Sequence, residues 1–442
     1  MALLLAACTS ANRFSRSYVS QKLEAQSGFT VLPVKSPASV DLPPTVVPTD
    51  GLTEDEAVAL ALWNNAQFQT DLAAIAIARA DVIDAGVVAN PLLRYLSPNA
   101  GIVASGYLNF ALDFIWQRPQ RVAAARYAAE RTASDLLQRS FTLIRDVQVA
   151  YADLLLAREK AVIFARSAQV RVQLNELAES RLRNGDISEL EASVTRADAA
   201  SARDDLLRAS LDTLVLANRF NTLLGFASPD TVVALQPAAL PLSLQQLSKA
   251  EALELAYAMS PPLQAAATAI EAGGKRLGWE KSRIISFTAT LGFQHIPTQS
   301  PEGASPQWMP NAFNPGIQAE IPVFNRNQGK VARAEAEMEQ AVLQYVAVRQ
   351  QITLGITEAY NRYQQMHRSY QVWNTGVLPS LESAVALAGQ VYQRGDISYL
   401  PVLDATRQLL NGQLRRAEVA AELRRSVSQL NYSMGKKAVL PQ

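Results

Sequence analysis

The chain has 442 residues, with 41 Lys and Arg against 40 Asp and Glu, and 49% of its residues are apolar. A formal charge of +1 leaves no excess of cations to neutralise phosphates, which argues against a nucleic-acid binder. One Cys cannot close an intramolecular disulfide, two His far apart make a poor metal site, and no apolar run reaches the ~18 residues of a spanning helix, so composition points to a helix-rich protein without cofactor chemistry.

Residues 1–7 are apolar and end in small side chains ahead of Cys8, the composition of a partial signal peptide. Leu5-Ala6-Ala7-Cys8 resembles the bacterial lipobox, whose cysteine is acylated and heads the mature chain. That resemblance makes Cys8 the lipidation site and a covalent lipid the one attached group, and Thr9 behind it favours the outer membrane; the alternative is a buried free cysteine. Residues 8–50, rich in Ser, Pro, Val and Thr, read as an extended lipidated arm that contributes no core element. Thr53-Glu54-Asp55-Glu56 is a cap followed by acids, and the helical pattern behind it runs to about Val88.

Four short segments alternate apolar and polar residues, the period of a strand with two unlike faces. The first hairpin, near 91–116, combines a weak strand at Leu92–Leu96 with one whose apolar positions are Leu108, Phe110, Leu112 and Phe114. The second, near 284–324, has Ile285, Phe287, Ala289, Leu291 and Phe293 in one strand and Ile317, Ala319, Ile321 and Val323 in the other. Such segments fit a half-buried soluble sheet, and equally the apolar-out, polar-in period of an outer-membrane barrel. Four strands fall short of the ~8 that close a barrel, so the barrel reading requires an oligomer.

Residues from about 120 to 183 contain no Gly or Pro, and Ile144, Val147, Tyr151, Leu154, Ala161, Ala165, Ala168 and Val172 mark a coiled-coil seam along a rod of ~100 Å. Gly185 breaks it. The chain is also duplicated: Arg183-Asn184-Gly185-Asp186-Ile187-Ser188 returns as Gln393-Arg394-Gly395-Asp396-Ile397-Ser398, and the same offset carries Asn221 to Asn431 and Gly225 to Gly435. Two repeats, 51–225 and 248–436, are therefore expected around a linker at 226–247, with a tail at 437–442. Each repeat presents a long helical hairpin with Gly-Asp-Ile-Ser at its tip.

Duplicated helical hairpins, paired strand hairpins and a lipobox together resemble the outer-membrane factor (TolC-like) family, the channels of tripartite efflux systems. Ile321-Pro322-Val323-Phe324-Asn325-Arg326-Asn327-Gln328-Gly329-Lys330-Val331-Ala332-Arg333-Ala334 is similar to that family's signature where the last strand enters the next helix, and Trp116-Gln117-Arg118 with Val122-Ala123 echoes it in the first repeat. The resemblance covers residues 50–436. It implies a mainly α fold with a membrane β part: a homotrimer whose duplicated hairpins form a periplasmic α-barrel, continued by a twelve-stranded outer-membrane β-barrel with four strands per chain. It implies lipid-anchored attachment to the outer membrane, and as partners outer-membrane lipid, a periplasmic adaptor and an inner-membrane pump of RND type. Gly185, Asp186, Ser188, Gly395, Asp396 and Ser398 fall on the tip motif that meets the adaptor; the same residues suit a turn and a helix cap. Asp404 matches a gate acid, Tyr392 a tyrosine of the closure network and Glu191 its acidic partner, while Pro401 and Ile397 depart from the family pattern. Asp404 reads equally as a solvated helix acid.

No phosphate-binding Gly-x-x-x-x-Gly-Lys run occurs, and His295, near a barrel loop, and His367, on a helix surface, supply no catalytic constellation, so no enzyme is expected. Asn325-Arg326-Asn327-Gln328-Gly329 looks most like members that work with heavy-metal pumps, and drug-exporting members are close to it. Two further readings stand beside the efflux duct: the exit channel of a type I protein-secretion system, and a periplasmic coiled-coil scaffold lipoprotein that forms no pore.

Overall fold

Thr53 caps the first helix of the first repeat as its neighbours require: its Oγ1 accepts from the Glu56 amide at 3.2 Å, and the Glu56 carboxylate accepts from the Thr53 amide at 2.9 Å. The computed structural model in which this is seen describes residues 14–31, 41–47, 51–97, 104–226, 233–236, 240, 247–295 and 311–436. Cys8 with its expected lipid, the 1–7 stretch and the 437–442 tail lie outside the described residues. The chain divides into two units, one holding Ala73–Asp135 and Pro262–Val348, the other Arg16–Leu72, Leu136–Pro261 and Arg349–Gln442. No helix among the described residues is long and apolar enough to cross a membrane.

The helix expected to run from Thr53 to Val88 is two helices, α2 (Glu54–Asn64) and α3 (Ala66–Gly86). Asn65 leaves the helical region with ψ 116°, and its Oδ1 accepts from the Phe68 amide at 2.9 Å, so one side chain caps the new start. The second repeat is built alike. Ser248 and Glu251 form a capping box on α6 (Lys249–Met259), Ser260 breaks the chain at ψ 118°, and Pro261 opens α7 (Pro261–Ser282), where its missing amide is harmless. The arm is corrected as well: Arg16–Ser27 is a helix, α1, with Val19 and Leu23 fully buried.

Long helices fill the rest of the chain: α4 (Phe114–Asn184), α5 (Glu189–Leu224), α8 (Gln328–Val372), a π turn at Trp373–Val377, α9 (Leu378–Gln393) and α10 (Tyr399–Met434). The seam on α4 holds through Ile144, Val147, Tyr151 and Leu154, all buried. Beyond it Ala165 is exposed, Ala161 and Val172 are half-buried, and the buried positions are Ala157, Ile163, Ala168, Arg171 and Ala178. A charged residue on that face, Arg171, is the first sign that the core changes character toward the tip. His367, expected on a helix surface, is buried and packs against Tyr363 with ring centres 5.9 Å apart.

The last helix of each repeat ends against the break between its first two. Gly225 caps α5 at φ +85°, and a Cβ there would lie 2.3 Å from the Asn64 carbonyl oxygen; Gly435 caps α10 at φ +65°, 2.8 Å from Pro261 Cδ. The expected linker is fastened as well. Leu52 exchanges backbone bonds with Ala234 and Gln236 at 2.8 and 3.0 Å, and the Tyr151 hydroxyl donates to the carbonyls of Leu52 and Gln236. Burial pushes that hydroxyl up to about 12.

In the other unit, β1 (Leu92–Leu96), β2 (Ala104–Ala111), β3 (Ser286–His295) and β4 (Asn311–Glu320) form one antiparallel sheet in chain order. Two strands are shorter than their alternation suggests. β2 stops at Ala111 because Asp113 offers its carbonyl to the Gln117 amide at 2.9 Å, which starts α4 and takes Phe114 into it. β4 stops at Glu320 because Pro322 has no amide for the ladder.

Gly225→Ala is expected to lower the thermal midpoint, followed by circular dichroism in detergent, more than Gly185→Ala. Both glycines are left-handed, at +85° and +80°, but only Gly225 has backbone in the way, so the pair separates the ~1 kcal/mol conformational cost from packing. Because the Tyr151 hydroxyl must stay protonated in the fold, its contribution is complete below pH ~10 and fades as pH rises toward 12. Tyr151→Phe should flatten that alkaline loss, read as the midpoint against pH.

Candidate functional site

Both tips are built by the same backbone device. Gly185 takes φ +80°, its amide donates to the Leu182 carbonyl at 3.0 Å, and the Asp186 amide donates to that of Arg181 at 2.9 Å. Gly395 takes φ +84°, with matching bonds from Gly395 to Tyr392 at 2.9 Å and from Asp396 to Val391 at 3.2 Å. Gly185, Asp186, Ser188, Gly395, Asp396 and Ser398 are all exposed. The sequence reading passed over Leu190 and Leu400, which stand at equivalent places beside the two tips, 75% and 66% exposed.

The two repeats differ in how the second helix starts. Ser188 Oγ accepts from the Glu191 amide at 3.2 Å, whereas the Ser398 side chain makes no capping bond. The missing acceptor comes from the other repeat: Glu191 Oε1 accepts from the Tyr399 amide at 2.9 Å, placing a carboxylate at the positive end of α10. Arg181 does the converse. Its Nη2 donates to the Tyr392 and Gln393 carbonyls at 2.9 and 3.3 Å, at the negative end of α9, and its guanidinium lies 4.5 Å from the Tyr392 ring centre.

Behind this double cap lies a buried charged cluster. Asp198 accepts from Arg171 at 3.2 Å, from Arg407 at 3.3 Å and from the Tyr399 hydroxyl at 3.1 Å. Tyr399 also belongs to an apolar cluster with Tyr392, Val402 and Leu403, against which Ile397 packs. Burial raises the Tyr399 hydroxyl above the ordinary tyrosine value and the Asp198 carboxylate raises it further. Burial raises Tyr392 as well; Arg181 pulls it down and Glu191 pushes it up. Tyr392 and Glu191 thus belong to one cluster. Asp404 does not join it: Val402, Leu403 and Thr406 of α10 face inward, and Asp404 is exposed, accepting from Gln408 Nε2 at 2.8 Å. Asp198, Arg171, Arg181 and Arg407 went unnoticed in the sequence. Their only signal is an acid inside the alanine run Ala197-Asp198-Ala199-Ala200, on a helix whose inner face near the tip is mostly alanine.

The sheet separates its residues by chemistry. Leu108 stands opposite Leu291, and Leu291 opposite Pro315; Phe110 faces Ala289, then Ile317; Gly106 faces Phe293, then Phe313. Leu93, Tyr95, Phe293, Phe313 and Ile317 on this side are exposed. The other side is polar and internally bonded on β2 to β4, with Leu92 and Leu96 of β1 beside it: Thr290 Oγ1 donates to Asn109 Oδ1 at 2.8 Å, Gln294 Nε2 to the Tyr107 hydroxyl at 3.0 Å, and Ser286 Oγ to Glu320 Oε2 at 3.0 Å. Tyr107 lies across Gly292, where a Cβ would come within 3.1 Å of the ring.

Asp198→Ala strands a buried guanidinium and is expected to cost about 3–5 kcal/mol in denaturant unfolding. Glu191→Ala removes only a half-exposed cap and is expected to cost about 1 kcal/mol in the same measurement.

Two stretches, residues 103–226 and 252–436, match the outer membrane efflux protein family, well over half of the chain. The cobalt-zinc-cadmium resistance protein CzcC of Cupriavidus metallidurans is 24% identical over 389 residues, covering 87% of this chain and 90% of that protein. The cation efflux system protein CusC of Escherichia coli O157:H7 is 27% identical over 339 residues, 74% of this chain and 68% of that one. A crystal structure of CusC shares the fold, with TM-score 0.70 at 22% identity over 92% of this chain and 99% of that chain. The chain belongs to the outer membrane efflux protein family.

Proposed function

We propose that the protein is the passive exit duct of a tripartite efflux system, a homotrimer in the outer membrane, lipid-anchored through Cys8. The observation that carries this reading is the sheet. It has one exposed apolar face, one polar face, and edges at β1 and β4 that no other described strand pairs. Unpaired edges are not tolerated in lipid and four strands are below the ~8 of a closed barrel, whereas three copies supply twelve. The polar faces then line a lumen of hydroxyl and amide groups.

Two tips per chain, each with an exposed leucine beside a Gly-Asp turn, offer a periodic surface to a periplasmic adaptor, which couples the duct to an inner-membrane pump of RND type. Heavy-metal cations are the favoured cargo, supported by the similarity to a cobalt-zinc-cadmium resistance protein and a cation efflux protein. The gate combines Asp404 with the Tyr392–Glu191 cluster. Exposed on α10, Asp404 gives a trimer three carboxylates around one axis, which draw cations.

Purified protein in planar bilayers should give discrete channels; protein that inserts yet never conducts would turn the reading toward a scaffold. Deleting the gene should raise sensitivity to zinc, cobalt or cadmium, and failure to secrete a protein instead would favour the type I channel. Asp404→Ala is expected to raise the conductance of the closed state severalfold and to weaken its cation preference.

A further inference from the structure

The four strands hold one formal cation and one formal anion, and each stands on an edge of the sheet. Arg94 is the middle residue of β1 and Glu320 the last of β4, while β2 and β3 contain no Asp, Glu, Lys or Arg. Register puts both charges on the polar side: Arg94 stands opposite Tyr107, Tyr107 opposite Gly292, and Glu320 opposite Ser286. Both are exposed. Leu92 and Leu96 flank Arg94 on its own face, so β1 itself has no carboxylate to offset the guanidinium.

The strand ends are stepped. One row of partners runs from Leu92, where β1 begins, through Asn109 and Thr290 to Gly316, and β4 continues four residues past that row to Glu320. Tilted strands give a stepped border of this kind when a sheet closes on itself. Continued beyond β4, the step sets the start of the next strand near Glu320, and in a second copy that start is Leu92. The lengths agree. β1 has five residues, and β4 offers five at this end, 316–320, between Pro315 and Pro322, which have no amide for a ladder. Matching faces allow only even shifts. One register then fits: Leu92 opposite Glu320, Arg94 opposite Gln318, and Leu96 opposite Gly316.

We propose that Arg94 of one chain and Glu320 of the next form an ion pair that selects β4 as the partner of β1 and sets this register. Arg94 stands opposite Gln318 and one diagonal step from Glu320, a spacing that long side chains bridge. The same residue rejects the wrong partner. Because Arg94 is central in β1, full antiparallel pairing of two β1 strands sets guanidinium against guanidinium. Two edges of opposite charge therefore fit each other better than β1 fits its own copy, which is specificity by repulsion as well as attraction. The proposal rests on reading the sheet as one part of a barrel closed by several copies of the chain.

The test combines Arg94→Cys with Gln318→Cys and, for comparison, Arg94→Cys with Asn314→Cys, which lies out of register; Cys8 is kept, and the single variants serve as blanks. Oxidation by copper-phenanthroline in detergent should turn most of the first pair into covalent trimer on a non-reducing gel, and leave the second pair and the blanks as monomers on that gel. In parallel, Arg94→Glu should lower the temperature at which the trimer dissociates, and Arg94→Glu with Glu320→Arg should recover most of the loss. A trimer cross-linked through Asn314, or one that neither pair cross-links, would overturn the register and the ion pair with it. Cross-linking through Gln318 without recovery in the charge swap would overturn the ion pair. A native chain that sediments as a monomer would remove the barrel reading, and the seam with it.

Discussion

Backbone groups along the outer edges of β1 and β4 have no strand partner among the described residues, and the rest of the sheet answers to that constraint. In water, edges of this kind invite pairing with other chains; in hydrocarbon they are excluded outright. The register sharpens the point. Every cross-strand neighbour of Leu108, Phe110 and Phe293 on one face is apolar or glycine, while Asn109, Thr290, Gln294 and Tyr107 bond to each other on the opposite face. A one-residue slip at either edge would turn that strand's apolar side chains to the polar face and its polar ones to the apolar face, so register decides which face is which.

Much of this was written in short-range signals. The cap at Thr53, the turn glycines at both tips and the four alternating strands are local patterns with local causes, and they stand where the sequence puts them except that β2 and β4 end early. What escaped notice has non-local causes. α1 sits in a segment rich in Pro and Ser and buries little more than Val19 and Leu23, so composition hides it. Asn65 breaks a helix without Gly or Pro, through a cap that only its own side chain reveals. His367 is four residues from Tyr363, a spacing shared by surface and core positions alike. Asp198 draws its partners from two other helices, α4 and α10, and no spacing along one helix announces such a meeting.

The duplication explains why the two halves are alike and also where they part. Gly225 and Gly435 close their repeats against the same break, with the same backbone handedness. At the tips the symmetry fails in a productive way. Ser188 serves its own helix, Ser398 does not, and the freed amide at Tyr399 takes Glu191 from the other repeat. A shared ancestor supplies two equal hairpins; the departure from equality is what ties them together.

That tie has a mechanical side. Arg181 and Glu191 each reach from the first hairpin to an end of a helix in the second, so a load applied at one tip passes to the other through short polar links. At the surface, water can compete for these links and loosen them. Asp198 is buried, held by Arg171, Arg407 and the Tyr399 hydroxyl, and is far less open to such competition. The pair of hairpins is therefore fastened twice, by links open to water beside the tips and by a buried one behind them.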